Sequence, residues 1–329
     1  MEMYQAKYHE VDIENTSFLV TGGAGFIGSH IVEYLMLNNA KKVRVLDNLM
    51  TGNYANIQKW ESSPNFEYME GDIRDTSTCM KACTDIDFVS HQAALGSVPR
   101  SIKDPVRTNA INVDGFLNML VAAKDCKVKR FVYASSSSVY GDEPNLPKFE
   151  DRTGNPLSPY AVSKATNELY AKVFQSTYGM EIIGLRYFNI FGPRQDPNGP
   201  YAAVIPIFID YLKRKQAVYI DGDGEQTRDF TFVENAVQAN VRAMLTQEEG
   251  ATGQTYNIAF GKNYSVNHLF STIRDGMEVK QDAIHRETRA GDVRNSLADI
   301  SKAKKLLKYN PLFSFEDGMV LTLKSYLKK

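Results

Sequence analysis

The chain is short of cysteine and histidine and has neither a long apolar run nor a block of basic charge. Its 3 cysteines, Cys79, Cys83 and Cys126, form no Cys-x-x-Cys and leave an odd count. Together with 5 scattered histidines, they offer neither a disulfide framework nor the spacing of a structural zinc site. No stretch approaches the roughly 18 uninterrupted apolar residues that read as a membrane span. The polar segment before Thr16 lacks a signal-like apolar core, so the cytoplasm is the default location and no membrane partner is expected. Lys and Arg number 38 against 39 Asp and Glu, a formal charge of -1. Nucleic acid is therefore not expected as the main partner, although local basic residues can bind a phosphorylated small molecule.

The remaining composition, 43% hydrophobic and 23% charged over 329 residues, is that of a globular protein with one large domain and a smaller one. Its most informative stretch is Phe18-Leu-Val-Thr-Gly-Gly-Ala-Gly-Phe-Ile-Gly-Ser-His30. An apolar run to Val20 predicts a buried strand, and Ile27, His30, Ile31 and Leu35 start a helical period. Gly22, Gly25 and Gly28 lie between them: one for a tight turn, one for close backbone approach to a pyrophosphate, one for helix–strand packing. The helix N-terminus presents free N–H groups to the anion. A second strand, Lys42-Val-Arg-Val-Leu-Asp47, ends in a carboxylate 19 residues after Gly28, near the distance at which an acid grips the adenosine ribose. A dinucleotide site follows, with Asp47 rejecting the 2′-phosphate of NADP.

Residues 1–16 read as an N-terminal extension, partly ordered at best unless docked elsewhere. Further strands are predicted at about 66–73, 87–91, 129–134 and 181–187. Helices are predicted at 26–38, 106–125 and from Pro159 onward, so strands and helices alternate as in a doubly wound parallel sheet. Asn48 follows strand two, and His91 ends strand four, where packing and chemistry are both open to it. Small residues follow at Ala93, Ala94 and Gly96, suited to close approach of a ligand. After Gly192 the character changes. Helices are expected at 203–214, 233–244, from Ser265, and finally at 301–307, with short strands at 229–233 and 256–258. The domain boundary falls at 187/188, with some later segments able to fold back.

Tyr160 and Lys164 are four apart on a helix and share a face. A tyrosine is a poor base at neutral pH, but a nearby ammonium and a positive nicotinamide ring both favour the phenolate. Lys164 can also hold ribose hydroxyls, and Ser136, in the serine run after strand five, can bridge a substrate hydroxyl and the tyrosine. A helix-face tyrosine is commonly packing; the company of the glycine loop, Asp47 and the serines points to hydride-transfer chemistry instead.

These motifs, with Asp72-Ile73, His91-Gln-Ala-Ala94, Arg186-Tyr-Phe-Asn189, Gly192-Pro-Arg194 and Arg228-Asp-Phe230, run in order from about 18 to 310. The chain thereby resembles the extended short-chain dehydrogenase/reductases, particularly nucleotide-sugar epimerases of the UDP-galactose 4-epimerase type. The resemblance implies a Rossmann-type α/β fold with a smaller mixed α/β substrate domain, a retained NAD, a UDP-sugar substrate, a homodimer and a place in polysaccharide-precursor synthesis. It implies cofactor contacts from Gly22, Gly25, Phe26, Ile27, Gly28, Asp47, Asn48, Asp72, Ile73, Ala93, Ala94, Asn112, Tyr160, Lys164 and Tyr187. It implies substrate contacts from Gly96, Ser97, Val98, Ser136, Ser137, Asn189, Ala203, Val204, Tyr219, Arg228, Arg289, Asp292 and Ser296. Ser136, Tyr160 and Lys164 would be catalytic, and Arg228 and Arg289 suit a diphosphate.

Departures narrow the reaction. The 4,6-dehydratases carry Thr-Asp-Glu where this chain has Ser136-Ser-Ser138, so no carboxylate stands ready for elimination. Four residues beyond Asp292, the resemblance places a gate whose size admits or blocks an N-acetyl arm; here it is Ser296, a small residue. Gly96 replaces a lysine common in glucose-type enzymes. The expected reaction is C4 epimerisation of UDP-N-acetylglucosamine. The alternatives are UDP-glucose or uronate epimerases, a one-way dehydrogenase, reductase or decarboxylase, and a catalytically silent nucleotide-sugar or NAD sensor.

Overall fold

The computed structural model describes residues 2–197, 203–288 and 294–327. The first half of the chain supplies β1 (Ser17–Thr21), β2 (Lys42–Asp47), β3 (Phe66–Glu70), β4 (Phe88–His91), β5 (Arg130–Ser136) and β6 (Glu181–Tyr187). The rest supplies β7 (Ile190–Phe191), β8 (Tyr219–Asp221), β9 (Thr227–Asp229), β10 (Thr231–Phe232), β11 (Gln254–Ile258), β12 (Asn263–Ser265) and β13 (Ile284–Arg286). The first helices are α1 (Phe26–Leu37), α2 (Thr76–Cys83), α3 (Val98–Lys103), α4 (Pro105–Asn109), α5 (Gly115–Asp125) and α6 (Pro159–Tyr178). They are followed by α7 (Val204–Lys213), α8 (Val233–Leu245), α9 (Val266–Gly276), α10 (Ser301–Leu306) and α11 (Phe315–Leu327).

Seven strands form one parallel sheet in the order β11-β6-β5-β4-β1-β2-β3. Its strands are apolar on both faces because both are covered. Phe18 and Val20 enter the core on one side of β1 and Leu19 the core on the other. The order reverses between β1 and β4, which opens a crevice at the strands' carboxyl ends. Among the described residues the smaller domain has three two-stranded pairings, β10–β7, β12–β9 and β13–β8, around Phe191, Phe208, Phe232 and Phe315.

The expected Rossmann-type sheet and smaller mixed α/β domain are present. The second half returns to the first layer twice, through α8 and through β11, which pairs with β6 from Gln254↔Ile183 to Ile258↔Tyr187. The predicted helix over 106–125 is present as one continuous helical run from Pro105 to Asp125, with a π-helical turn at Ala110–Asp114 between α4 and α5. The expected final helix ends at Leu306, and α11 follows it. That helix carries Gly318 at its buried face, where an added Cβ would lie 2.6 Å from the Phe232 ring. Its position is set by a packing partner that local sequence does not reveal. Among the described residues no helix is long and apolar enough to cross a membrane, and no group of His, Cys, Asp and Glu is arranged to hold a metal ion.

The described part of the N-terminal extension is a docked strap. Tyr8 is 2% exposed and stacks on Tyr34 at 5.1 Å. Its backbone N–H donates to Tyr34 Oη at 2.7 Å, and its hydroxyl donates to Glu234 Oε1 at 2.5 Å. Tyr4 hydrogen-bonds His30 Nδ1, and His30 Nε2 contacts Pro193 O at 2.9 Å. This cover explains why α1 is buried without a break from Gly28 to Met36, where an ordinary surface helix would show one polar face. Tyr8→Ala is expected to cost about 3 kcal/mol or more of stability, read as a lower urea midpoint at constant m-value. A change within roughly 0.5 kcal/mol would mean that the strap does not stabilise the fold.

Candidate active site

The crevice is built first by the glycine turn. Gly22 has φ +67°, and a Cβ there would stand 2.7 Å from Ala93 N. A Cβ on Gly28 would come within 2.2 Å of Gly22 O, so only glycine lets α1 start this close to β1. Gly25 is the N-cap of α1 and gives no side-chain cap, which leaves the first N–H groups facing the cleft. Asp47 braces the turn from the end of β2, accepting from Ala24 N at 3.0 Å and Leu49 N at 2.8 Å. Burial raises its pKa, against those two amides. Asn48 donates to Asp72 at 2.9 Å.

Two cavities meet here. A cleft of about 410 Å³ is lined by Gly22, Gly25, Phe26, Ile27, Gly28, Asp47, Asn48, Asp72, Ile73, Ala93, Ala94, Gly96, Lys164 and Tyr187. Its elongated chain of glycines, ribose-side acid and strand-end residues fits a dinucleotide. A second cavity of about 460 Å³ is lined by Val98, Ser137, Ser138, Lys148, Arg228 and Ser296, among others. Ser136, Tyr160 and Asn189 line both. Asn189 takes a left-handed backbone at φ 36°, a conformation that a non-glycine residue holds only where surrounding structure imposes it. Its side chain donates to Asp229 O at 3.1 Å.

At the junction, α6 is started by Ser158, whose hydroxyl accepts from Ala161 N at 3.1 Å, with Pro159 in the first turn. This cap and the helical period put Tyr160 and Lys164 on the face toward the end of β5. Lys164 is 3% exposed and donates to Ala134 O at 2.7 Å. Its ammonium lies 6.0 Å from the centroid of the Tyr160 ring. Burial pushes the Lys164 pKa down to about 8, opposed by the charge of Glu168. Burial also raises the Tyr160 phenol, opposed by a hydrogen bond with Ser136. Water exclusion therefore disfavours each charge alone, and a phenolate beside an ammonium relieves both.

His91 belongs to the packing. Its Nδ1 contacts Thr21 Oγ1 at 2.9 Å, its ring stacks on Phe131, and burial pushes its pKa down to about 3. Several residues expected to make contacts line neither cavity. Asn112 is 2% exposed and lines neither cavity; its amide holds Leu95 N at 2.8 Å, Leu95 O at 3.2 Å and Ser163 Oγ at 3.1 Å. Ser97 caps α3. Ala203 and Val204 begin α7, and Tyr219 is 45% exposed beneath Arg286; none of the three lines either cavity. Arg289 and Asp292 lie outside the described residues. Sequence reasoning missed Lys148, 6% exposed in the wall of the second cavity. The Lys148↔Ala298 bridge that joins its segment to the Ser296 segment is a long-range contact with no local signal. It also missed Asp229, whose buried carboxylate accepts from Phe260, Gly261 and Ala298 N–H groups and is pushed up to about 7 by burial.

The family model described as the NAD dependent epimerase/dehydratase family matches residues 18–259. The UDP-N-acetylglucosamine 4-epimerase of Methanobrevibacter ruminantium M1, in complex with UDP-N-acetylmuramic acid, is 41% identical with a TM-score of 0.89, covering 95% of this chain and 98% of that one. The UDP-glucose 4-epimerase of Thermotoga maritima, with UDP-glucose, is 35% identical with a TM-score of 0.87, covering 95% and 99%. The UDP-glucuronate 4-epimerase of Thermodesulfobacterium geofontis is 34% identical over 93% of this chain and 94% of its own. The three names divide among acetylated, neutral and uronic sugars.

Proposed function

The chain belongs to the NAD dependent epimerase/dehydratase family, and from that premise we propose that it interconverts C4 epimers of UDP-hexoses through a 4-keto sugar. The observation that carries this reading is the sharing of Ser136, Tyr160 and Asn189 by the dinucleotide cleft and the second cavity. A sugar in the second cavity would thus meet the nicotinamide end of the first beside a tyrosine. NAD, when bound, supplies the acceptor and then the donor of the C4 hydride. Tyr160 takes the proton from the C4 hydroxyl and later returns it, with Ser136 bridging the two oxygens. Lys164 holds the ribose and favours the phenolate. Arg228, in the wall of the second cavity, anchors the diphosphate, so that binding energy remote from C4 retains the substrate while the keto sugar presents its other face. Ser136-Ser-Ser138 offers no carboxylate for dehydration.

Within that reaction we propose UDP-N-acetylglucosamine and UDP-N-acetylgalactosamine as substrates. Ser296 stands in the same cavity as Tyr160, and a Cβ on Gly96 would meet nothing within 4 Å. The small Ser296 side chain leaves volume for an acetamido arm in that cavity, and Gly96 leaves the adjoining cleft wall open. The glucose and glucuronate names among the relatives favour the second reading, a UDP-glucose or UDP-glucuronate 4-epimerase. A homodimer is also proposed, since α4, α5 and α6 expose Val106, Val121, Val162, Leu169 and Val173; a monomer in sedimentation at micromolar concentration would exclude it.

One experiment separates the readings: purified protein is incubated with UDP-N-acetylglucosamine, UDP-glucose and UDP-glucuronate without added NAD, and epimers are resolved. Interconversion of the acetylated pair at the highest kcat/KM is expected, and Ser296→Tyr should suppress that pair far more than the neutral one. Equal losses, or a wild-type preference for UDP-glucose, would refute the gate. Stoichiometric NADH release would instead indicate a one-way oxidation. Tyr160→Phe should lower turnover at least roughly 100-fold with UDP-sugar binding kept; unchanged turnover would remove Tyr160 from the chemistry.

A further inference from the structure

Three successive residues at the end of β5 are gripped by three successive turns of α6. Ser136 stands with Tyr160 in the wall of both cavities and favours its charged form, and Ala134 O accepts from Lys164 Nζ at 2.7 Å. Ser135, 2% exposed, donates from Oγ to Glu168 Oε1 at 2.5 Å. Tyr160, Lys164 and Glu168 recur every four residues and so form one stripe along the helix. The third grip is the most heavily braced. Arg186, on β6 and 4% exposed, donates from Nε to Glu168 Oε1 at 2.9 Å and from Nη2 to Oε2 at 2.8 Å. The third Arg186 nitrogen, Nη1, holds Glu150 O at 3.0 Å, and the guanidinium lies 4.8 Å from the Tyr140 ring centroid.

We infer that Glu168 is a positioning residue for the hydride-transfer site: its carboxylate ties β5 and β6 to α6 in the register that sets the Tyr160–Lys164 face against the end of β5, and it places a negative charge one turn beyond Lys164. The inference rests on the Tyr160–Lys164 reading above. A bidentate ion pair inside a covered interface holds its geometry more firmly than a surface pair, since both charges lose much if either moves. Ser135 transmits that fixed point to its two neighbours in β5, Ala134 and Ser136, the second of which carries the hydroxyl facing Tyr160.

The charge environment gives the sign. Lys164 is faced by Tyr160 and Glu168 on its own helix and by His91 from β4, which burial keeps neutral. Glu168 is faced by Arg186 from β6, by Ser135 and Tyr133 from β5, and at longer range by Lys302 from α10. Glu168 favours the charged form of Lys164, so its neutralisation moves the lysine's titration to lower pH.

The test titrates the as-purified protein by NMR of ¹⁵Nζ-labelled lysine, with the Lys164 resonance identified by its loss in Lys164→Met. Glu168→Gln is expected to lower the Lys164 midpoint by about 0.5 pH unit or more, and the alkaline limb of kcat should move down with it while KM changes less than about twofold. Ser135→Ala keeps the carboxylate, so it should leave the midpoint in place while lowering kcat through the loosened register. If Glu168→Gln does not fold, Glu168→Gln with Arg186→Met removes the pair without stranding a guanidinium, and a smaller shift in the same direction is expected because a positive charge leaves with the negative one. An unmoved midpoint, or a kcat loss equal at all pH values, overturns the inference. The NMR readout needs no substrate, so a wrong choice of sugar leaves the result interpretable. Full activity of Tyr160→Phe would defeat the parent reading separately.

Discussion

Exclusion of water from the end of β5 is the constraint on which the site depends. Lys164 is 3% exposed and is held by a main-chain carbonyl, so its charge persists on the strength of fixed neighbours. In bulk water a lysine ammonium would titrate far from neutrality, and a tyrosine phenol would ignore it. Behind the wall of α6, burial lowers the lysine to about 8 and raises the tyrosine. Both neutral forms are then favoured separately, and a negative phenolate becomes accessible chiefly when positive charge stands beside it. The site is thus matched to a positively charged ring placed in the adjoining cleft.

The two cavities divide the work along the same line. The glycine turn, Asp47 and the open N-terminus of α1 belong to the parallel sheet and hold their shape through backbone geometry. The second cavity is assembled from distant parts of the chain: α3, the serine run, the segment at Lys148, β9 and the segment at Asn295–Ser296. Buried Asp229 joins the last two by accepting amides from either side. A cleft set by backbone geometry beside a cavity assembled from distant segments suits relatives named for different sugars.

Much of this was legible in the chain. The strand at Lys42–Asp47 and the strand at Glu181–Tyr187 agree with their expected bounds, since runs of β-branched residues between polar ends leave little choice of structure. The Tyr160–Lys164 pair was legible because a helix fixes the spacing of its own side chains. Asn112 acts on the cleft through its neighbours: its amide holds the backbone of Leu95, which lines the cleft, and Ser163 Oγ, contacts that the π-helical turn carrying it does not advertise in composition. Tyr219, Ala203 and Val204 were carried over by resemblance, and neither cavity uses them.

The N-terminal strap meets the one condition under which order is expected of it, docking: its tyrosines look exposed in the sequence until Tyr34 and Glu234 are brought to them. The same limit governs the rest. The sequence by itself determined the alternating α/β layering, the glycine turn with its acid, and the tyrosine–lysine face, because each depends on contacts within one strand, one turn or one helix. Only the tertiary structure decided that Ser136, Tyr160 and Asn189 stand where two cavities meet, that Glu168 reaches Ser135 and Arg186, and that β11 completes the sheet. Those arrangements join residues far apart in the chain, and packing and desolvation act on neighbours in space.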